Sequence, residues 1–96
     1  MEIRREHNSL IISGQVSKFD DYDTVKAAVE QLRMDTDGKL TLVFNDAQTI
    51  ISALIGYFIK LRRVDDIKLT IIAKNHKLYA MMDNLALVDI FNVQKG

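Results

Sequence analysis

Runs of strand-forming residues alternate along this chain with longer segments in which apolar residues recur every three or four positions. The runs at Ser9–Gly14, Lys39–Asn45 and Lys68–Ala73 predict strands, and the last two are typical of buried ones. Strand, helix and strand at this spacing indicate parallel pairing with right-handed crossovers, because the connection packs back onto the sheet in that hand. A further run at Glu2–Arg5, turning through His7–Asn8, predicts an antiparallel hairpin in front of them.

Three segments have the period of an amphipathic helix. They are Phe19–Met34, Thr49–Arg63 and His76–Leu85. Asp20 or Asp21 is predicted to cap the first helix, Thr49 the second and Asn75 the third. The closing stretch VDIFNV predicts either a last short strand or a docked terminal turn. The sequence therefore predicts an α/β sandwich, with a mixed, mostly parallel sheet of four to five strands and helices packed on it.

Composition narrows the class of protein further. A chain of 96 residues with 48% hydrophobic residues predicts a single domain, 1–96, with its own core. Without cysteine it has no disulfide framework, cysteine-ligated zinc or thiol catalysis. Thirteen basic and thirteen acidic residues give no net charge, so nucleic acid is not an expected partner. No run approaches the roughly 20 apolar residues of a membrane span, and we expect a cytoplasmic protein without a cofactor.

The second predicted helix has two unlike sides. Its apolar residues face the sheet on a helical wheel: Ile50, Ile51, Leu54, Ile55, Phe58 and Leu61. Its small and polar residues fall on the opposite side: Ser52, Ala53, Gly56, Lys60 and Arg63. With Thr49 as the cap, Ser52 is about the third helical residue, where a phosphate would add about −1.5 to −2 charges at the positive end of the helix. Ser52 is thus either a switch or a serine that merely suits a helix start.

The order and spacing of three short stretches resemble those of a known family of domains. They are GQV at Gly14–Val16, ISALIG at Ile51–Gly56 and MMDNLALVDIF at Met81–Phe91. In order and spacing, from about Ser9 to Val93, the chain resembles the STAS domain, the fold of bacterial anti-sigma factor antagonists and of sulphate-transporter tails. That family typically has Gly-Glu-Leu-Asp at the first place, Asp-Ser-Ser/Thr-Gly-Leu-Gly at the second and Gly-Leu-x-x-Leu-Phe at the third.

The resemblance places Ser52 at the phosphoacceptor serine of the family and Gly56 at its second glycine. Ile51, Ala53 and Leu54 depart from the motif, because they replace the aspartate, the second hydroxyl residue and the first glycine. The implied function is non-enzymatic regulation of transcription. Such a protein binds an anti-sigma factor kinase when unphosphorylated, and a serine phosphatase restores this state. The implied contact residues, beside Ser52 itself, are Ala53, Gly56, Lys60 and Arg63.

The sequence is also compatible with two other functions. The first is a small cytoplasmic STAS subunit of a membrane lipid transporter, which docks on an ATPase by a similar face. The second is a small enzyme, which would need a concave pocket with convergent polar groups. The histidines, His7 and His76, have no catalytic spacing to a serine, and His76 is predicted to face solvent in the first turn of a helix.

Several acidic residues and two methionines are predicted to have mainly structural roles. Asp20, Asp21 and Asp23 lack the spacing of a calcium loop, so helix capping is the predicted role and no metal site is expected. The stretch Asp35–Gly38 has turn chemistry. Met81 and Met82 predict at least one core side chain, with the other available as an adaptable contact.

Overall fold

The computed structural model describes all of residues 1–96, and its backbone forms five strands and three helices. In chain order these elements are β1 (Glu2–Glu6), β2 (Ser9–Ser13), α1 (Phe19–Met34), β3 (Lys39–Phe44), α2 (Ser52–Arg63), β4 (Lys68–Ala73), α3 (His76–Asn84) and β5 (Val93–Lys95). The order and type of the predicted elements are confirmed. The main difference is the start of α2, which lies at Ser52 and not at Thr49.

The strands form one mixed sheet in which spatial order follows chain order. β1 and β2 pair antiparallel through the predicted turn at His7 and Asn8, where His7 adopts a left-handed backbone (φ 55°) as two-residue hairpins require. The other neighbouring strands pair in parallel. The α/β fold with a mostly parallel sheet is therefore confirmed, and the sheet has five strands. The final segment forms both a turn and the short strand β5.

The helices cover one face of the sheet only. In β3 and β4 every second side chain is buried, as at Leu42 and Ile71, while the alternate ones, such as Val43 and Ile72, stay half-buried. Right-handed crossovers between strands that always advance in the same direction put every helix on the same side. The prediction that β3 and β4 are buried strands was thus wrong for one face, because no element packs on it.

One hydrophobic core lies between the sheet and the helices, and all 24 buried residues belong to it. Phe58 of α2 sits at its centre, where its ring packs edge-on against the rings of Phe44 (centroids 6.4 Å apart) and Phe91 (6.0 Å). Met82 is fully buried and Met81 half-buried, so the prediction of at least one core methionine is confirmed. This core fixes which side of α2 faces outward.

Of the predicted helix caps, Asn75 is the cap residue of α3, whereas the cap residue of α1 is Lys18 and Asp21 is the third helical residue. The Asp21 carboxylate accepts hydrogen bonds from the backbone N–H groups of Ser17 and Lys18, both at 3.1 Å, which satisfies donors at the start of α1. Those bonds, that of Lys18 first, lower the pKa of Asp21. At α3 the Asn75 side chain accepts from the N–H of Lys77 at 2.8 Å. Asn75 thus caps α3 as predicted, whereas Asp21 supports the start of α1 from within its first turn.

Candidate functional site

The start of α2 differs from the prediction because Ile51, and not Thr49, is the cap residue. Its carbonyl accepts from the N–H groups of Leu54 (3.0 Å) and Ile55 (3.3 Å), while its apolar side chain caps nothing. The hydroxyl of Thr49 lies against the Met81 sulfur at 3.0 Å instead. Ser52 is therefore the first helical residue rather than the third, still within the turn where the helix dipole favours negative charge.

Hydrogen bonds between two loops hold the chain that enters α2. The N–H of Gly14 donates to the Asp46 carboxylate (2.7 Å), and the Gln15 amide donates to the Asp46 carbonyl (3.1 Å). Val16 also bridges Ile50 in parallel, and both side chains are buried. Because Ile50 pairs with Val16 in this bridge, it does not belong to the helix, and the first helical residue is Ser52.

The outward side of α2 is the candidate site, and we call it the docking face. Its predicted members are Ser52, Ala53, Gly56, Lys60 and Arg63. Four of them are exposed as predicted, and Ala53 is half-buried instead. The predicted inward side is confirmed at Leu54, Phe58 and Leu61, which are fully buried.

The inward side of α2 also differs from the helical wheel. Ile50 and Ile51 precede the helix, and Ile55 is only half-buried. Tyr57 is buried, with 6% of its surface exposed, although it is not among the predicted inward residues. Ile55 and Ile59, one turn apart, form a half-buried apolar border along the docking face. The small, polar face is thus bordered by apolar side chains.

A network of polar side chains joins α2 to α1 below the docking face. The hydroxyl of Tyr57 donates to the carboxylate of Glu30. Arg33 contacts Glu30 (3.3 Å) and Asp65 (2.9 Å), and Asp65 also accepts from Lys60 (3.3 Å). Lys60, at the end of the docking face, is therefore part of the network, which fixes the angle between the two helices.

The network shifts the pKa values of its members in consistent directions. The Tyr57 hydrogen bond lowers the pKa of Glu30, and the Arg33 hydrogen bond lowers that of Asp65. Burial, helped by the Glu30 carboxylate, raises the pKa of Tyr57 far above its usual range. Both carboxylates are therefore held ionised and the phenol neutral. The sequence offered one signal, a tyrosine next to the inward-facing Phe58.

The remaining candidate residues lie apart from the docking face. His76 is the exposed first residue of α3, and His7 is exposed in the hairpin turn. The turn prediction at Asp35–Gly38 is confirmed, and Arg5 contacts Asp35 at 2.7 Å. No group of three or more His, Asp or Glu side chains is gathered into a metal-binding arrangement.

No concavity is lined by Ser52. Five concavities occur, and among the residues of α2 only Arg62 and Arg63 line any of them.

None of the three helices combines the length and the apolar character that a membrane crossing requires. A search with models of protein families, with curated proteins and with solved structures finds no match to this chain.

Proposed function

We propose that this chain is a non-enzymatic protein-binding module that docks its α2 face onto an anti-sigma factor kinase, as the resemblance to STAS anti-sigma factor antagonists implies. The observation that carries the proposal is Gly56. It is exposed in the middle of a helix, and a Cβ added there would meet no atom within 4 Å. Glycine costs a helix about 1 kcal/mol relative to alanine. Since nothing inside the chain requires this cost, a partner that approaches the backbone closely accounts for it.

The surroundings of Gly56 suit a rigid docking surface. Phe58 anchors α2 in the core, and the Tyr57–Glu30 hydrogen bond fixes it to α1. Side chains already held by packing lose little freedom when a partner binds. The half-buried Ile55 and Ile59 supply apolar area beside the small residues. A pre-formed surface of this kind, without a concavity at Ser52 or Gly56, favours docking of another folded domain.

Charge indicates which partner surface fits. Arg63 is exposed and takes part in no ion pair, and Lys60 contacts only Asp65. The N-terminal half of the docking face, at Ser52 and Gly56, carries no charge. A complementary partner therefore presents small or apolar groups opposite Gly56 and a carboxylate opposite Arg63.

Ser52 supplies the proposed switch. Its exposed position in the first turn lets the positive end of the helix dipole tolerate a phosphate, so phosphorylation leaves the fold intact. The same phosphate places a hydrated dianion in the uncharged half of the docking face. Binding then falls because that charge must be desolvated or left facing the partner.

Binding of the kinase recovered from the source cell tests the switch. We expect Ser52→Asp to bind at least about tenfold more weakly than the parent, a loss of about 1.4 kcal/mol, while Ser52→Ala binds like the parent. Gln31→Glu is the matched control. It adds the same charge on α1, where Gln31 lines a concavity with Ile3 and Arg5, away from α2. Equal binding by Ser52→Asp and the parent would refute the switch.

The same capture experiment distinguishes kinase binding from the alternative function, that of a transporter subunit. If an ATPase and permease of a lipid transporter are recovered in place of a kinase, the chain is a transporter subunit that uses this face. Intact-mass measurement of the recovered protein then reports whether one phosphate is present, and peptide mapping places it. A phosphate on a residue other than Ser52 would also contradict the proposed switch.

A further inference from the structure

A polar concavity of about 560 Å³ lies at the N-terminal ends of β3 and β4, at the opposite end of the sheet from Ser52. We call it the basal cavity. Its volume is within the usual range for small-molecule sites. Only two of its ten lining residues are hydrophobic, Leu40 and Leu69, and both are buried. The exposed surface of its lining is mostly polar, which favours a polar ligand.

Two lysines of the basal cavity face each other across neighbouring strands. Lys39 and Lys68 are register partners in the parallel β3–β4 pair, and both are exposed. Like charges directly opposite each other destabilise a sheet. Neither lysine forms an ion pair with a carboxylate of this chain. The fold thus places two cations together without neutralising them.

A third cation completes the cluster. Arg62, near the end of α2, also lines the basal cavity, is half-buried and has no ion-pair partner. Asp89 is the one carboxylate in the lining. Three cations against one carboxylate leave a surplus of positive charge in a concave site, where the field is focused. Arginine and lysine side chains that line one cavity are suited to binding phosphate groups.

Neutral side chains of the cavity can add hydrogen bonds to an anion. The Asn92 amide donates to the Thr70 hydroxyl oxygen at 3.0 Å, which leaves the Thr70 hydroxyl proton free to donate into the cavity. The backbone N–H of Lys68 already donates to the Gly38 carbonyl at 2.7 Å. Recognition therefore falls to side chains, and chiefly to the three cations.

We propose that the basal cavity binds a small anion of the diphosphate class, held by Lys39, Lys68 and Arg62. At least two negative charges are needed to offset the repulsion between the lysines in the presence of Asp89. No aromatic side chain lines the cavity, so a nucleobase attached to the diphosphate gains no stacking surface. The site is separate from the docking face, and its occupancy does not depend on the proposed function.

Thermal unfolding in inorganic pyrophosphate tests the site, with sodium chloride adjusted to keep ionic strength constant. At ten times the dissociation constant, binding to one site raises the melting temperature of a domain of this size by about 6–11 °C. We expect that rise for the parent and for Lys77→Gln, a control that removes an exposed lysine outside every cavity. The double variant Lys39→Gln/Lys68→Gln should lose it.

Two further measurements keep the result unambiguous. Without pyrophosphate the double variant should melt no lower than the parent, because the substitutions remove a repulsion. Asp89→Asn should lower the dissociation constant for pyrophosphate, since it removes the opposing charge. A rise that persists in the double variant, or a parent that responds no more to pyrophosphate than to chloride, would overturn the proposal. Tighter binding of ADP than of pyrophosphate would refute the inference that a nucleobase gains nothing in this cavity.

Discussion

The buried hydroxyl of Tyr57 on α2 donates a hydrogen bond to the carboxylate of Glu30 on α1. The two residues are 27 positions apart in the chain, and their bond lies beside the exposed face that carries Ser52 and Gly56. Lys26 adds a cation above the Tyr57 ring, 5.6 Å from its centroid. The relationship fixes the helix of the docking face against its neighbour, so the geometry of that face depends on residues outside it.

Replacing Tyr57 by phenylalanine tests the contribution of this bond to stability. The substitution keeps the ring in the core and removes only the hydroxyl. Hydrogen bonds to charged groups contribute about 1.5–3 kcal/mol, but the Glu30 side chain is 45% exposed, so we expect a loss of about 1 kcal/mol. Urea unfolding followed by circular dichroism measures it. An unchanged free energy of unfolding would show that the bond stabilises nothing.

The pH dependence of stability follows from the same network. The folded pKa of Glu30 is below its ordinary value of 4.5, so its contribution is present above about pH 4.5 and is lost as pH falls through the folded pKa. The folded pKa of Tyr57 is above its ordinary value of 10.0, so stability falls as pH rises above about 10. Unfolding measured across this range should show a plateau between the two limits.

The Tyr57→Phe variant serves as the control for the pH profile. It should lose the part of the alkaline decline that Tyr57 causes, and its acid decline should be smaller, because Glu30 then keeps only its contact with Arg33. An identical pH profile in parent and variant would contradict this account of the network.

Gly56→Ala should stabilise the protein. Nothing lies within 4 Å of the added methyl group, and alanine is the better helix former. We expect the free energy of unfolding to rise by about 0.5–1 kcal/mol and the melting temperature by about 2–8 °C. Calorimetry measures both. A destabilised Gly56→Ala would mean that the chain itself requires the glycine, which would remove the main support for the docking face.

Phe58→Ala should come close to unfolding the chain. Its ring is fully buried and packs against Phe44 and Phe91, so the substitution loses burial and leaves a cavity at the centre of the core. Such substitutions cost about 3–5 kcal/mol. Urea unfolding should show that loss, whereas Phe19→Ala, which removes a ring that is 69% exposed, should cost far less. Similar losses in both variants would contradict the assigned core.

Much of the fold could be predicted because periodicity and turn chemistry act locally. The bounds of α1 and the Asn75 cap followed from residues within a few positions of each. The start of α2 could not, because Ile50 is drawn into a bridge with Val16, far away in the chain. The open face of β3 and β4 was missed for a similar reason. Alternate residues such as Val43 and Ile72 are apolar although no helix covers them.

In the candidate site, too, some features follow from local sequence patterns and others depend on residues far away in the chain. The outward position of Ser52 and Gly56 followed from the helical period alone, since the core chooses the opposite side. The role of Tyr57 depends on Glu30, and the basal cavity depends on the register that sets Lys39 opposite Lys68. Pairings between distant segments are a property of the folded chain, and no local pattern in the sequence reports them.

The most direct test of the docking face compares Gly56→Arg with the parent in affinity capture from the source cell, quantified by mass spectrometry. Open space around Gly56 lets the arginine extend into solvent without disturbing the fold, which circular dichroism would verify. Ala27→Arg, at an exposed position of α1, is the matched control. We predict that an anti-sigma factor kinase is enriched on the parent and on Ala27→Arg, and is reduced at least roughly tenfold on Gly56→Arg. Recovery of no such kinase with the parent, or equal recovery with Gly56→Arg, would contradict the account.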